Sequence, residues 1–350
     1  MTSTNTTPSP CAASDTLAVV SQSGPSVTFF DAATFERQEV LTLPPEPHEL
    51  CFDPRRRLLY ATSAYVSGYY HANAGRATAV SVIDVATRTV VDVIDTTPDH
   101  APHGIVLDGA RDRLYVSVEA TDTEPGGVVV YDARDRRRIT RVPTLAPGPH
   151  WFAITPDGRK GYATNKEAPF VTVVDLERDR PAGRVEVPGS EGLDVSPDGR
   201  YVYVAAPKGD FVPRPSAQPG IRVVDTATDR VVRVLPTEGV VFPVHATATG
   251  LLLAGELRMS ADPDAALGGQ RNGVLTVFAP DTFEQVGQVE VGRFPLTITS
   301  SPDGSLGFVA GVVSSTVTVV DLRRMRVVTT LEVDRAGEPG AHGLAYIPAP

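Results

Sequence analysis

Hydrophobic and polar positions alternate along this chain in a unit that recurs. From Ala146 to Asn165 it reads APGPHWFAITPDGRKGYATN: an apolar run, a Pro-Asp-Gly turn, then a second run with an aromatic inside it. Runs of this length bounded by turn residues predict strands and hairpins. Similar stretches begin at Pro47 (PHELCFDPRRRLLYATS), Pro102 (PHGIVLDGARDRLYVSV), Ser190 (SEGLDVSPDGRYVYVAA) and Pro295 (PLTITSSPDGSLGFVAG). In register, the aromatics are Tyr60, Tyr115, Tyr162, Tyr203 and Phe308. Each lies 12 residues after a position held by His48, His103, His150, Glu191 or Leu296. Two weaker copies follow the same pattern. One surrounds His245 without the Pro-Asp-Gly turn, and one at the C-terminus supplies a single strand from His342.

Each unit has a second half of β-branched residues around a polar turn, as in VTVVDLERDRPAGRVEV. An Asp closes the third strand in most copies (Asp31, Asp84, Asp132, Asp175, Asp225, Asp321), where its side chain is expected to hold the following turn. Register positions are separated by 55, 47, 41, 54, 51 and 46 residues. Two hairpins per period of this size predict a β-propeller. The N-terminal segment lacks a first strand and the C-terminus supplies one. Together they complete a blade, giving an all-β, seven-bladed β-propeller of four-stranded blades. The ring is closed by N-terminal strands pairing with the C-terminal strand. Residues 15–350 are expected to form this single propeller, and 1–14 a disordered tail.

The segments YATN, VTVVDLERDRPAGRVEV and LDVSPDGRYVYVA resemble the YVTN-type β-propeller repeat of lactonase-like and surface-layer-like proteins. The resemblance covers about Thr16 to Pro348. It implies the fold; the activities hosted on that fold are diverse.

Propeller geometry then gives the register residue an address. The first strand of each blade lines the central channel and starts on the face that carries the loops between second and third strands, here termed the top. The ring at the upper mouth is expected to read His48, His103, His150, Glu191, His245, Leu296 and His342. Of the 7 histidines in the chain, five fall in this register. His48, His103, His150, Glu191, His245 and His342 are therefore candidate metal ligands. An imidazole-rich, carboxylate-poor set suits iron or copper before zinc or manganese. Two alternatives stand beside the cage: a metal-free polar ring around water, and a copied structural motif.

The long insertions all fall on the same face, at 64–78, 119–127, 207–220 and 256–273, and suggest a built pocket. His71, Tyr69, Glu119 and Glu256 are candidate catalytic groups. Tyr70, Phe211 and Arg214 are candidate wall residues, and Asn165 and Glu167 candidate partners for the imidazoles. The function read from this pattern is a metal-dependent oxidoreductase or lyase acting on a small organic molecule. The alternative is a non-catalytic ligand-binding or scaffold propeller with a structural histidine ring. No G-x-S-x-G, H-E-x-x-H, C-x-x-C or phosphate-binding glycine loop occurs.

Composition narrows the partners. A net charge of −10 disfavours nucleic acid and anionic membrane. The basic clusters Arg55–Arg57 and 134–138 read as solvated turns. No secretory signal or membrane-spanning run is visible, and two cysteines do not make a disulfide framework, so a cytoplasmic location is expected.

Overall fold

The computed structural model describes all residues except 1–13, 44, 70–71, 188, 207–218, 261–268 and 337–339, and leaves the side chains of 69 and 72 undescribed. The expected disordered tail, apart from Ser14, lies outside the described residues. So do Phe211 and Arg214.

Seven four-stranded antiparallel sheets form the blades. Blade 1 runs outward from Ala341–Ile347 through Thr16–Ser21, Ser26–Asp31 and Arg37–Thr42. The other inner strands are Leu50–Asp53, Pro102–Asp108, Pro149–Ile154, Leu193–Val195, Val240–Ala246 and Pro295–Ser300, in blades 2 to 7. Ring closure is the pairing of the first and last strands, with Thr16 opposite Ile347 and Leu17 opposite Tyr346. Asp15 reinforces it, accepting from the Tyr346 hydroxyl at 2.6 Å and the Ala349 amide at 2.8 Å.

Burial explains the sequence pattern. The second and third strands are apolar on both faces because each blade is sandwiched between two others; fourth strands keep an exposed face. Among the described residues, the seven larger apolar clusters lie one at each interface between consecutive blades. The recurring aromatics Tyr60, Tyr115, Tyr162, Tyr203 and Phe308 are 0–2% exposed in these interfaces. Burying a side chain of this size contributes about 1.5–3 kcal/mol.

The recurring Asp works as the sequence suggests. Asp175 Oδ1 accepts from the amides of Glu177 and Arg178 at 3.0 and 3.1 Å, and the other five do the same in their own turns. The basic clusters lie in turns as expected, with Arg55, Arg134 and Arg137 exposed, and they also form ion pairs between blades. Arg55 and Arg56 of blade 2 and Arg134 of blade 3 converge on Asp112, tying neighbouring blades on the lower face. No helix among the described residues is long and apolar enough to cross a membrane.

Candidate functional site

The ring residues are aimed by bulges at the start of the inner strands. In blade 3, Pro102 pairs with Val118 and Ile105 with Val116, leaving His103 and Gly104 out of the ladder. In blade 4, Pro149 pairs with Asn165 and Phe152 with Ala163, leaving out His150 and Trp151. A bulge of this kind re-aims the side chain it releases. After His103 and His342, glycine is required by crowding at the axis. A Cβ on Gly104 would lie 2.7 Å from the His150 carbonyl oxygen, and one on Gly343 2.5 Å from that of His48. The Gly343 amide donates to the His48 carbonyl at 3.0 Å, stitching one inner strand to the next.

That close approach brings four imidazoles together. Ring centroids are 4.1 Å apart for His48 and His342, 4.7 Å for His48 and His103, 4.5 Å for His103 and His150, and 6.0 Å for His48 and His150. All four are buried. Two sets, His48–His103–His150 and His48–Glu49–His342, each present ligand atoms within 4.8 Å of one another. His48 belongs to both.

Three buried carboxylates surround the imidazoles. Glu49 Oε1 lies 3.1 Å from His342 Nδ1 and 3.6 Å from His48 Nδ1. Glu191 Oε2 lies 3.1 Å from His150 Nδ1, and its other oxygen is 3.4 Å from Lys166 Nζ. Glu119 Oε1 lies 3.1 Å from His103 Nε2 and accepts from the Tyr65 hydroxyl at 2.6 Å, while Arg76 pairs with Oε2 at 2.9 Å.

The electrostatics favour neutral imidazoles at His48 and His103 and ionised carboxylates at Glu119 and Glu191. Burial, with His342, His103 and His150 beside it, pushes His48 well below the usual histidine range. Burial and then His150 push His103 down to about 4, against the opposing pull of Glu119. Burial alone would raise Glu119, but His103, Tyr65 and Arg76 outweigh it and hold the carboxyl at about 2. Lys166 and His150 outweigh burial in the same way at Glu191, also at about 2.

One set of atoms is left over. Nδ1 of His48, His103, His150 and His342 and Oε1 of Glu49 are buried without a hydrogen bond. Several sit within ion-pairing distance of one another, as above, but off hydrogen-bonding geometry. At His103, Glu119 takes the Nε2 proton, which leaves Nδ1 as a free lone pair. Buried lone pairs without donors are costly, and a cation satisfies them. A buried cluster of this composition can bind a metal ion.

The depressed histidines have a measurable consequence. The unfolded chain takes up protons at about pH 6.5, before the folded one does. Stability of the metal-free protein is therefore complete above that pH and falls as the pH drops towards 4, by up to about 1.4 kcal/mol per unit for each such imidazole. Thermal unfolding between pH 7.5 and 5 should show this slope, and His103→Gln should flatten it. A wild-type profile that is level across the window contradicts the assignment.

The sixth blade corrects the sequence register. His245 is absent from both clusters. The residue equivalent to His48 and His150 is Phe242: the Gly192 amide donates to the Phe242 carbonyl just as Gly343 donates to His48. Val241 pairs with Glu256 and Val244 with Ala254, so the bulge falls at Phe242 and Pro243. The turn after this strand is one residue shorter, closing Thr247 to Leu251 where blade 4 closes Thr155 to Lys160. Without its Pro-Asp-Gly marker, the repeat aligned on the wrong residue by three positions. The ring therefore reads His342, His48, His103, His150, Glu191, Phe242, Leu296: four histidines in a row, then a carboxylate, then an apolar arc. Phe294 packs on Phe242 at 4.9 Å between ring centroids.

The other candidates divide. Glu119 joins the cluster. Glu256 does not; it accepts from Thr276 and from the Gly239 amide within blade 6. Asn165 does the equivalent in blade 4, donating to Phe170 O and Thr172 Oγ1, and Glu167 is exposed. Both Glu256 and Asn165 brace their own blades rather than the imidazoles. His71 and Tyr70 lie outside the described residues. Tyr69 is described only as backbone, in a small hairpin of Gly68–Tyr69 with Ala72–Asn73. The sequence reading missed Glu49, Tyr65, Arg76 and Lys166. Glu49 had a signal: it stands where three other copies of the motif carry Gly104, Gly192 and Gly343.

No known family profile and no curated protein matches the chain. Among solved structures, a chain of Kuenenia stuttgartiensis hydrazine synthase is 20% identical, with 86% of this chain covering 90% of that one at a TM-score of 0.68. A functionally unknown protein from Desulfotomaculum acetoxidans DSM 771 is 13% identical, with 96% of this chain covering all of that one at a TM-score of 0.71. At these identities the likeness is one of fold. The protein is a seven-bladed β-propeller with a buried imidazole–carboxylate cluster at the upper mouth of its channel.

Proposed function

We propose that this propeller, of the YVTN-repeat type, is a metal-dependent enzyme whose ion is held by the buried histidines. His48, His103 and His150 are the principal ligands, with His342 and Glu49 completing the set. Glu191, with Lys166 beside it, lies 3.1 Å from His150 Nδ1 and adds a carboxylate at the same site. The carrying observation is the group of buried imidazole Nδ1 atoms left without hydrogen bonds around one axis. The ligand types favour iron or copper over zinc or manganese. Such an ion supplies Lewis-acid or redox chemistry.

The chain's own residues do the rest. Glu119, fixed by Tyr65 and Arg76, sets the His103 tautomer. The Tyr65 hydroxyl, in contact with both Glu119 and His103 Nε2, holds a proton at the edge of the cluster. The apolar arc of Phe242, Phe294 and Leu296 offers the ring's ligand-free side to a small organic molecule. Oxidative or lyase-type chemistry fits this plan.

Titration of untagged, chelator-treated protein with Fe(II) and Cu(II) under anaerobic conditions tests the reading. A ligand at 100 times its Kd stabilises the native state by about 2.7 kcal/mol, and the melting temperature should rise accordingly. The rise should vanish in His150→Gln. No rise with these ions, Zn(II) or Mn(II) would leave a non-catalytic binding propeller with a structural ring as the better account.

A further inference from the structure

The residue displaced from the ring, His245, occupies a second constellation. Its Nδ1 lies 3.0 Å from Asp194 Oδ2, and its Nε2 lies 2.9 Å from Ser300 Oγ. One neutral tautomer suits both contacts: Nδ1–H faces the carboxylate at ion-pairing distance, and Nε2 accepts the serine proton. Asp194 is held by two backbone amides, Val195 N at 2.8 Å on Oδ1 and Ala246 N at 2.9 Å on Oδ2. Nucleophile, base and orienting acid therefore stand in order, the first contact a hydrogen bond and the second at ion-pairing distance, which is how such a triad is recognised irrespective of sequence position.

The three residues come from the inner strands of blades 5, 6 and 7. Asp194 and His245 lie three residues below the ring positions Glu191 and Phe242, about 10 Å along the strand. Ser300 immediately precedes the lower turn of its blade. Unlike the buried histidines above, the side chains of His245 and Asp194 keep 22% and 30% of their surface exposed. Ser300 is half-buried.

We propose that Ser300, His245 and Asp194 form a nucleophilic triad at the lower part of the channel that cleaves small, unhindered carboxylic esters. Ser300 Oγ bonds to the ester carbonyl carbon as its proton passes to His245 Nε2. Collapse breaks the bond to the alcohol oxygen, which leaves with the proton from His245. Water then gives a proton to His245 and attacks the acyl-serine, releasing the acid and restoring Ser300. Asp194 is a positioning residue that fixes the imidazole and stabilises its charged form. This site is separate from the proposed metal site and does not depend on it.

The test is labelling of the full, untagged chain by an alkyl fluorophosphonate, with the adduct mapped by mass spectrometry before and after chelation. Hydrolysis of p-nitrophenyl acetate is followed in parallel. The expected result is one adduct per chain on Ser300, unaffected by chelation and absent in Ser300→Ala. Labelling should slow at least tenfold in His245→Gln. Asp194→Asn should slow hydrolysis and change its pH profile. Melting temperatures of the variants report that the ring is intact. Failure to label Ser300 in folded wild type, or equal labelling rates in His245→Gln, overturns the proposal. Loss of labelling on chelation overturns it as well, by assigning the reactivity to the upper site.

Discussion

His48→Leu is expected to weaken metal binding by more than about 100-fold while leaving the propeller folded. His48 is the hub of the cluster, in ring contact with His103, His150 and His342 and a member of both ligand sets. Loss of a residue that merely orients a ligand typically costs 10–100-fold in affinity, and loss of a shared ligand costs more. Leucine fills a similar volume without a polar atom. It removes a buried Nδ1 that has no hydrogen bond and relieves the crowding that holds His48 neutral. The metal-free variant should therefore melt at or above the temperature of the metal-free wild type. Competition with a chromogenic chelator measures the affinity, and circular dichroism the melting. Unchanged affinity, or an unfolded variant beside a stable metal-free wild type, would mean that His48 serves the fold and not an ion.

Gly343→Ala should produce the largest loss of stability, about 3 kcal/mol, at the top of the usual range for overpacking. The new methyl group would sit 2.5 Å from the His48 carbonyl oxygen and 2.8 Å from Glu49 Cα, both backbone atoms that cannot swing aside. Gly343 lies on the closing strand and the clashing atoms on the neighbouring blade, so the strain falls where two inner strands meet. Gly183→Ala is the control, because nothing lies within 4 Å of its added carbon. Urea unfolding of both variants measures the difference. Equal midpoints would show that the inner strands are not packed as tightly as this account requires.

The fold could be read from sequence because a propeller repeats its pattern. The aromatic in the second strand, the turn Asp and the Pro-Asp-Gly marker recur at fixed offsets, and the missing inner strand of blade 1 is supplied by the other end of the chain. The histidine ring was visible for the same reason, since its position is defined by the repeat. Where the repeat degenerates, so does the reading. Blade 6 has a shortened turn and leucine, Leu253, where Tyr162 stands in blade 4, so the pattern places His245 where Phe242 belongs.

Other features have no repeat to reveal them. Glu119 and Glu256 sit near the ends of their second strands, yet one faces the imidazoles and the other braces a loop. One residue of offset along a strand reverses the face. Glu49 reaches His342 across a blade boundary, and Asp194, His245 and Ser300 come one from each of three blades. Contacts of that kind follow from packing between units, which a pattern within one unit does not encode.

The central claim is that the clustered imidazoles hold a metal, and elemental analysis of the untagged protein tests it most directly. The account predicts close to one equivalent of iron or copper per chain, falling to background in His48→Leu. Protein that stays free of iron, copper, zinc and manganese after anaerobic reconstitution, with its ring folded, would contradict it.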